Sequence, residues 1–105
     1  MRIDDLINDL LAEQPHLTSE QQMQVFLNRY PVSDQLALIS AYCIGIKHSE
    51  CNSLLPDCGP FHRTLHELIG EPSQYAEILF KKRLQFSHAM ASFINCSTQE
   101  QRDNF

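Results

Sequence analysis

The feature that most constrains this fold is an uncharged stretch, mostly apolar, between Leu36 and Ile46. Just before it, Ser33 is suited to cap a helix, because its hydroxyl can accept a hydrogen bond from a first-turn amide. Asp34 follows, where a negative charge favours the helix dipole. The stretch is far shorter than the roughly 20 apolar residues that cross a bilayer. We therefore predict a central helix from Ser33 to Lys47, surrounded by other helices of a globular protein.

Two faces of this predicted helix differ in side-chain size. Larger side chains recur at i, i+3, i+7 and i+10, in Leu36, Ile39, Cys43 and Ile46. Small residues recur every four positions on the other face, in Ala37, Ala41 and Gly45. We expect the first face to be buried in the core. The second face allows a close helix crossing, either with another helix of the chain or with a second subunit.

Length and composition predict one small helical domain. The chain has 105 residues, of which 43% are hydrophobic and 20% are charged, as in ordinary globular proteins. Glycine is scarce, with 3 residues, and no run alternates polar and apolar side chains in the way an amphipathic strand does. We therefore predict an all-α fold, a compact single-domain bundle of about five helices with a long C-terminal helix.

Periodicity and capping residues place the other helices. The first is amphipathic and runs from Ile3 to Glu13. The second follows Thr18 or Ser19, since Ser19 with Gln22 and Thr18 with Gln21 both fit a capping box, and it ends at Pro31.

The C-terminal half predicts two more helices and a tail. One helix runs from about Pro60 to Ile69, and the longest runs from about Ser73 to Cys96. Residues 97–105 are mostly polar and are expected to form a tail.

A second apolar stripe on the longest predicted helix is the candidate binding surface. It consists of Ala76, Phe80, Leu84 and Ala91. The other helices of so small a domain do not readily cover both apolar stripes of this helix. Exposed apolar patches mark contact sites. We predict that this stripe binds a partner protein or a second copy of the chain. The alternative is that Phe80 and Leu84 pack beneath the first helix or beneath Leu54 and Leu55.

Cysteine and histidine residues in the middle of the chain suggest a different function. Cys51, Cys58, His62 and His66 are the ligand types that zinc prefers. The chain nevertheless lacks the C-x-x-C pair typical of zinc sites. We therefore expect no cofactor, and folding that does not require zinc. A metal-binding or thiol-redox module using these four residues is the alternative.

Charge and motifs define the expected function. The net charge of −5 makes the protein acidic and disfavours nucleic acid, which requires clustered Lys and Arg. No phosphate-binding glycine loop or nucleophile elbow occurs, so we expect no enzymatic activity. No secretory signal follows Met1, and we expect a cytoplasmic protein without membrane contact. The sequence favours a homodimeric protein-interaction module that acts as a regulatory inhibitor, an adaptor or a co-chaperone.

Overall fold

The fold is known from a computed structural model, which describes residues 1–48 and 72–105. Within these two ranges the chain is all-α, as the sequence predicts, and contains no strand. The α-helices are α1 (Ile3–Glu13), α2 (Glu20–Leu27), α3 (Val32–Lys47), α4 (Tyr75–Lys81), α5 (Phe86–Cys96) and α6 (Gln99–Asp103). Short 3-10 turns occupy Gln14–His16, Pro72–Gln74 and Arg83–Gln85. No helix in the described ranges is long and apolar enough to cross a bilayer.

The bounds of α1 agree with the sequence prediction. Its buried side chains recur at helical spacing on one face, in Ile3, Leu6, Ile7 and Leu10. Asp4 and Asp5 lie in the first turn, where they favour the helix dipole. The helix ends before Pro15, which lies in the 3-10 turn that follows, because proline cannot continue the α-helical hydrogen bonds.

The start of α2 is fixed by a modified capping box. The Ser19 hydroxyl accepts a hydrogen bond from the Gln22 amide at 3.2 Å, which confirms Ser19 as the N-cap. The Gln22 side chain does not accept a hydrogen bond from the Ser19 amide, as it would in a standard capping box. Its Oε1 accepts from the Thr18 amide at 2.8 Å and from the Thr18 hydroxyl at 2.6 Å. Both predicted cap residues therefore hold the same helix end.

The central helix α3 is confirmed, but it begins at Val32 with Pro31 at the N-cap position in place of Ser33. Its two faces are also not buried as the sequence predicts. Leu36 and Ile39 are buried, whereas Cys43 is half-buried and Ile46 is 37% exposed. The small-residue face is the more deeply buried one, since Ala37 and Ala41 have no exposed surface.

The reason for this burial is a close crossing between α3 and α5. A Cβ atom on Gly45 would lie 1.9 Å from the carbonyl oxygen of Ala89 and 2.8 Å from its carbonyl carbon. Only a glycine allows the backbone of α5 to come so near. The close partner of the small-residue face is therefore a helix of the same chain.

The long C-terminal helix predicted from Ser73 to Cys96 is not found as one helix. The chain leaves the α-helical path after Lys81, makes the 3-10 turn at Arg83–Gln85, and resumes as α5. The two halves pack mainly on different partners, α4 on α2 and α5 on α3. With α6, the described residues alone form six α-helices, so the expected number of about five is not confirmed either.

Residues 97–105, expected as a polar tail, include the short helix α6. Thr98 and Gln101 form a full capping box, with hydrogen bonds of 3.1 and 2.8 Å. Arg102 turns back and donates from Nη1 to the carbonyl oxygens of Ile94 and Ser97, which satisfies the end of α5. Phe105 is buried beside Phe93, with ring centroids 5.3 Å apart.

Candidate functional site

The candidate site is the turn between α4 and α5, residues 82–85, named here the Leu84 corner. Leu84 is 87% exposed, the highest value among the large apolar side chains in the described ranges. The turn places this side chain outside both helix-packing surfaces. It is therefore a large apolar group presented to solvent.

Two hydrogen bonds from distant parts of the chain fix the Leu84 corner on either side. Gln14, just after α1, donates from Nε2 to the carbonyl oxygen of Arg83 at 2.9 Å. Tyr42 of α3 donates from its hydroxyl to Oε1 of Gln85 at 2.5 Å. Burial raises the pKa of Tyr42, and neighbouring Cys43 adds to the shift. The phenol therefore stays protonated and can act as the hydrogen-bond donor. The exposed leucine is thus carried by an anchored turn.

Phe80 lies at the base of the corner beneath Arg83. The Arg83 guanidinium carbon is 4.1 Å from the centre of the Phe80 ring, and Nη1 donates to the Phe80 carbonyl oxygen at 3.0 Å. A cation over an aromatic ring contributes about 0.5–1 kcal/mol at exposed sites. Phe80 is half-buried and its outer side is covered by Arg83, so Leu84 is the available apolar contact.

The four residues of the predicted stripe differ in their exposure. Ala76 is 3% exposed and packs inside the fold, Phe80 is half-buried, and Leu84 and Ala91 are exposed. The interruption at the corner breaks the helical register that would align them. The alternative prediction that Leu84 packs beneath α1 is wrong, because Leu84 is exposed. Leu54 and Leu55 lie outside the described residues.

The charges next to Leu84 are positive. Lys81, the last residue of α4, and Lys82, the first residue of the corner, are both exposed. Lys81 donates to Oε1 of Glu77 at 2.9 Å, and this hydrogen bond raises the pKa of the lysine. Leu84 therefore follows three basic residues along the chain, of which Lys81 is paired with Glu77.

A surface hollow lies between the 3-10 turn Gln14–His16 and α2, and is named here the α2 hollow. Its volume is about 220 Å³. Buried Leu17 and Phe26 form its floor, and Val25, which is 57% exposed, stands at its edge. Sequence reasoning missed this hollow, because it exists only where the turn and the helix meet. The one local signal is Val25, an apolar residue beside the buried face of α2.

Polar side chains, two of them charged, surround the apolar floor of the α2 hollow. Glu13, His16 and Arg29 line it. Arg29 Nη1 lies 3.5 Å from Glu13 Oε1, and its guanidinium carbon is 5.7 Å from the centre of the Phe26 ring. The arrangement suits one apolar side chain, with polar groups of the same partner at the edge.

Tyr30, after the end of α2, joins that helix to α1. Its hydroxyl donates to Oδ2 of Asp9 at 2.8 Å, and its ring meets Phe26 edge-on with centroids 5.3 Å apart. Burial raises the pKa of Tyr30 to about 12, and the hydrogen bond and negative charge of Asp9 act in the same direction.

We expect this tyrosine to make the protein less stable in alkali. Unfolded Tyr30 ionises around its ordinary pKa of 10.0, whereas the folded side chain stays neutral until about 12. The contribution is complete below pH 10.0 and is lost as the pH rises to about 12. Denaturant unfolding across this window measures it. Tyr30→Phe should show a shallower decline, and equal declines in the two proteins would contradict the assignment.

The cysteine and histidine residues of the metal hypothesis, Cys51, Cys58, His62 and His66, lie outside the described residues. Within the described ranges, no group of three or more His, Cys, Asp or Glu side chains is placed to hold a metal ion. Burial raises the pKa of half-buried Cys43, although nearby Lys82 opposes the shift. The metal hypothesis therefore rests on the sequence, and metal analysis of purified protein tests it.

No family model, curated protein or solved structure matches this chain. A functional proposal for it therefore depends on its own surface chemistry.

Proposed function

We propose that this chain is a small, cytoplasmic, non-enzymatic interaction module that acts by binding other proteins, as regulatory inhibitors, adaptors and co-chaperones do. In its resting form it is a homodimer whose contact includes the Leu84 corner. The observation that carries the proposal is Leu84, 87% exposed on a turn that two other elements hold in place.

Leu84 is an apolar group that is held in place before binding. Burying a leucine side chain contributes about 1.5–3 kcal/mol. Ordering a loop on association costs free energy, and an already anchored turn avoids part of that cost. A two-fold dimer buries the same leucine in both subunits, which doubles the contribution. Single exposed apolar residues are common on proteins, so the anchoring distinguishes Leu84 from the others.

The first test is Leu84→Glu. We expect the wild-type protein to elute as a dimer and the variant as a folded monomer, because a charge at the contact opposes association and the exposed position leaves the core intact. Size exclusion with light scattering gives the mass, and circular dichroism gives the helix content. Val32→Glu, at a position that is 47% exposed and away from the corner, is the matched control and should remain dimeric.

Two results would contradict this proposal. A wild-type protein that is monomeric at all concentrations removes the homodimer. A Leu84→Glu variant that unfolds shows that Leu84 supports the fold and is not a contact residue.

A further inference from the structure

We propose that Leu84 of one copy of this chain inserts into the α2 hollow of a second copy, and that the second copy returns the same contact. This inference rests on the proposed homodimer and specifies what receives the leucine. The occupant is a second copy because the projecting group lies beside the hollow, and because basic residues precede Leu84 while an acidic row of α1 leads to the hollow.

The position of Gln14 shows that the Leu84 corner and the α2 hollow are neighbours. Its side chain bonds to the carbonyl oxygen of Arg83, next to Leu84. The residues on either side of the same segment, Glu13 and His16, line the hollow. Leu84 of a subunit does not fill its own hollow, since it is 87% exposed. A two-fold axis beside Gln14 would bring each leucine towards the hollow of the other subunit.

The size and lining of the hollow suit a single apolar side chain. Its volume of about 220 Å³ is below the roughly 300–1,000 Å³ of sites for drug-sized ligands. Leu17 and Phe26 offer an apolar floor, and Val25 extends it to the edge. A leucine side chain matches this apolar floor.

The charges around the two features are complementary. Lys82 and Arg83 directly precede Leu84, and Lys81 is bonded to Glu77 of its own helix. On the hollow side, Asp5, Asp9 and Glu13 recur every four residues along α1, and this row reaches the hollow at Glu13. Arg29 and His16 also line the hollow, and Arg29 is paired with Glu13. A reciprocal contact would place the lysines of each subunit near the acidic row of the other, which favours the correct pairing.

Mixing two variants tests the contact directly. Leu84→Glu removes the inserting group, and Val25→Glu places a charge at the edge of the hollow. Both positions are exposed, so each variant should keep the wild-type circular dichroism spectrum. Each variant alone loses both reciprocal contacts and should sediment as a monomer at a concentration where the wild type is a dimer.

The mixture should behave differently from either variant. Intact Leu84 of the Val25→Glu chain meets the intact hollow of the Leu84→Glu chain, so one of the two contacts is restored. Tagged Val25→Glu protein should therefore capture untagged Leu84→Glu protein and should not capture untagged Val25→Glu protein. Val32→Glu, which changes neither feature, should remain dimeric throughout.

Other outcomes identify which statement fails. A monomeric wild type overturns both the homodimer and this contact, as expected if a different protein occupies the corner. A dimeric Val25→Glu variant leaves the homodimer standing and overturns the hollow as its receptor. Loss of the dimer in Ala91→Glu but not in Val25→Glu would place Leu84 along α5 of the partner instead. Because the second contact of this mixture sets the two introduced glutamates against each other, Leu84→Glu is also mixed with Val25→Lys, where the two new charges attract, and failure of both mixtures overturns the reciprocal contact.

Discussion

Replacing Ile39 with alanine should lower the free energy of unfolding by about 2–5 kcal/mol. Ile39 is 1% exposed in the middle of α3, the helix that contacts α1, α4 and α5. The substitution leaves a cavity among side chains that collapse only partly. Because a domain of this kind has a total stability of about 5–15 kcal/mol, the loss should be visible in denaturant unfolding.

Ile46→Ala is the matched control, since it makes the same chemical change on the same helix. Ile46 is 37% exposed, so its truncation removes less buried surface and should cost much less than truncation of Ile39. The sequence pattern alone assigns both isoleucines to one buried face and predicts equal losses. Equal losses in the two variants would support that pattern against the structure.

The difference between these isoleucines shows what a hydrophobic period can predict. On α1 polar and apolar residues alternate at helical spacing, and the sequence gives both its bounds and its buried side. On α3 apolar residues occur all round, so periodicity identifies a buried helix but does not rank its faces. The ranking depends on where α5 crosses, and that contact links Gly45 to a residue far away in the chain.

The interruption at the Leu84 corner has no local signal. Residues 73–96 contain neither glycine nor proline, and their apolar spacing is compatible with one continuous helix. The corner is held by Gln14 and Tyr42, which lie 69 and 43 residues from their partners. Single-sequence patterns do not carry such contacts. The sequence therefore identifies Leu84 as a candidate contact residue, but it does not predict the turn and the hydrogen bonds around it.

The helix α6 is a different case, because its signal is local. Thr98 followed by Gln101 fits the capping box that predicts a helix start. All five residues of α6 are polar, so hydrophobic periodicity does not reveal the helix. Here the cap residues predict more than the apolar pattern does.

Gly45→Ala should also destabilise the protein strongly, although alanine is the better helix former. The added methyl group would lie 1.9 Å from the carbonyl oxygen of Ala89, far inside van der Waals contact. Overpacking a core costs about 1–3 kcal/mol and occasionally more, and a clash with backbone belongs at the upper end. The higher helix propensity of alanine offsets about 0.8–1.0 kcal/mol of this cost. We therefore expect a net loss of about 2 kcal/mol in the free energy of unfolding.

A second substitution at the crossing tests whether backbone contact is the cause. The closest atoms to the new methyl group are the oxygen and carbonyl carbon of Ala89, and neither belongs to its side chain. Ala89→Gly should therefore fail to rescue Gly45→Ala, and the double variant should be less stable than either single variant. Rescue by Ala89→Gly would mean that side-chain crowding, and not a backbone-to-backbone approach, sets the distance between α3 and α5. A Gly45→Ala protein more stable than the wild type would show that the helices do not cross closely at this point.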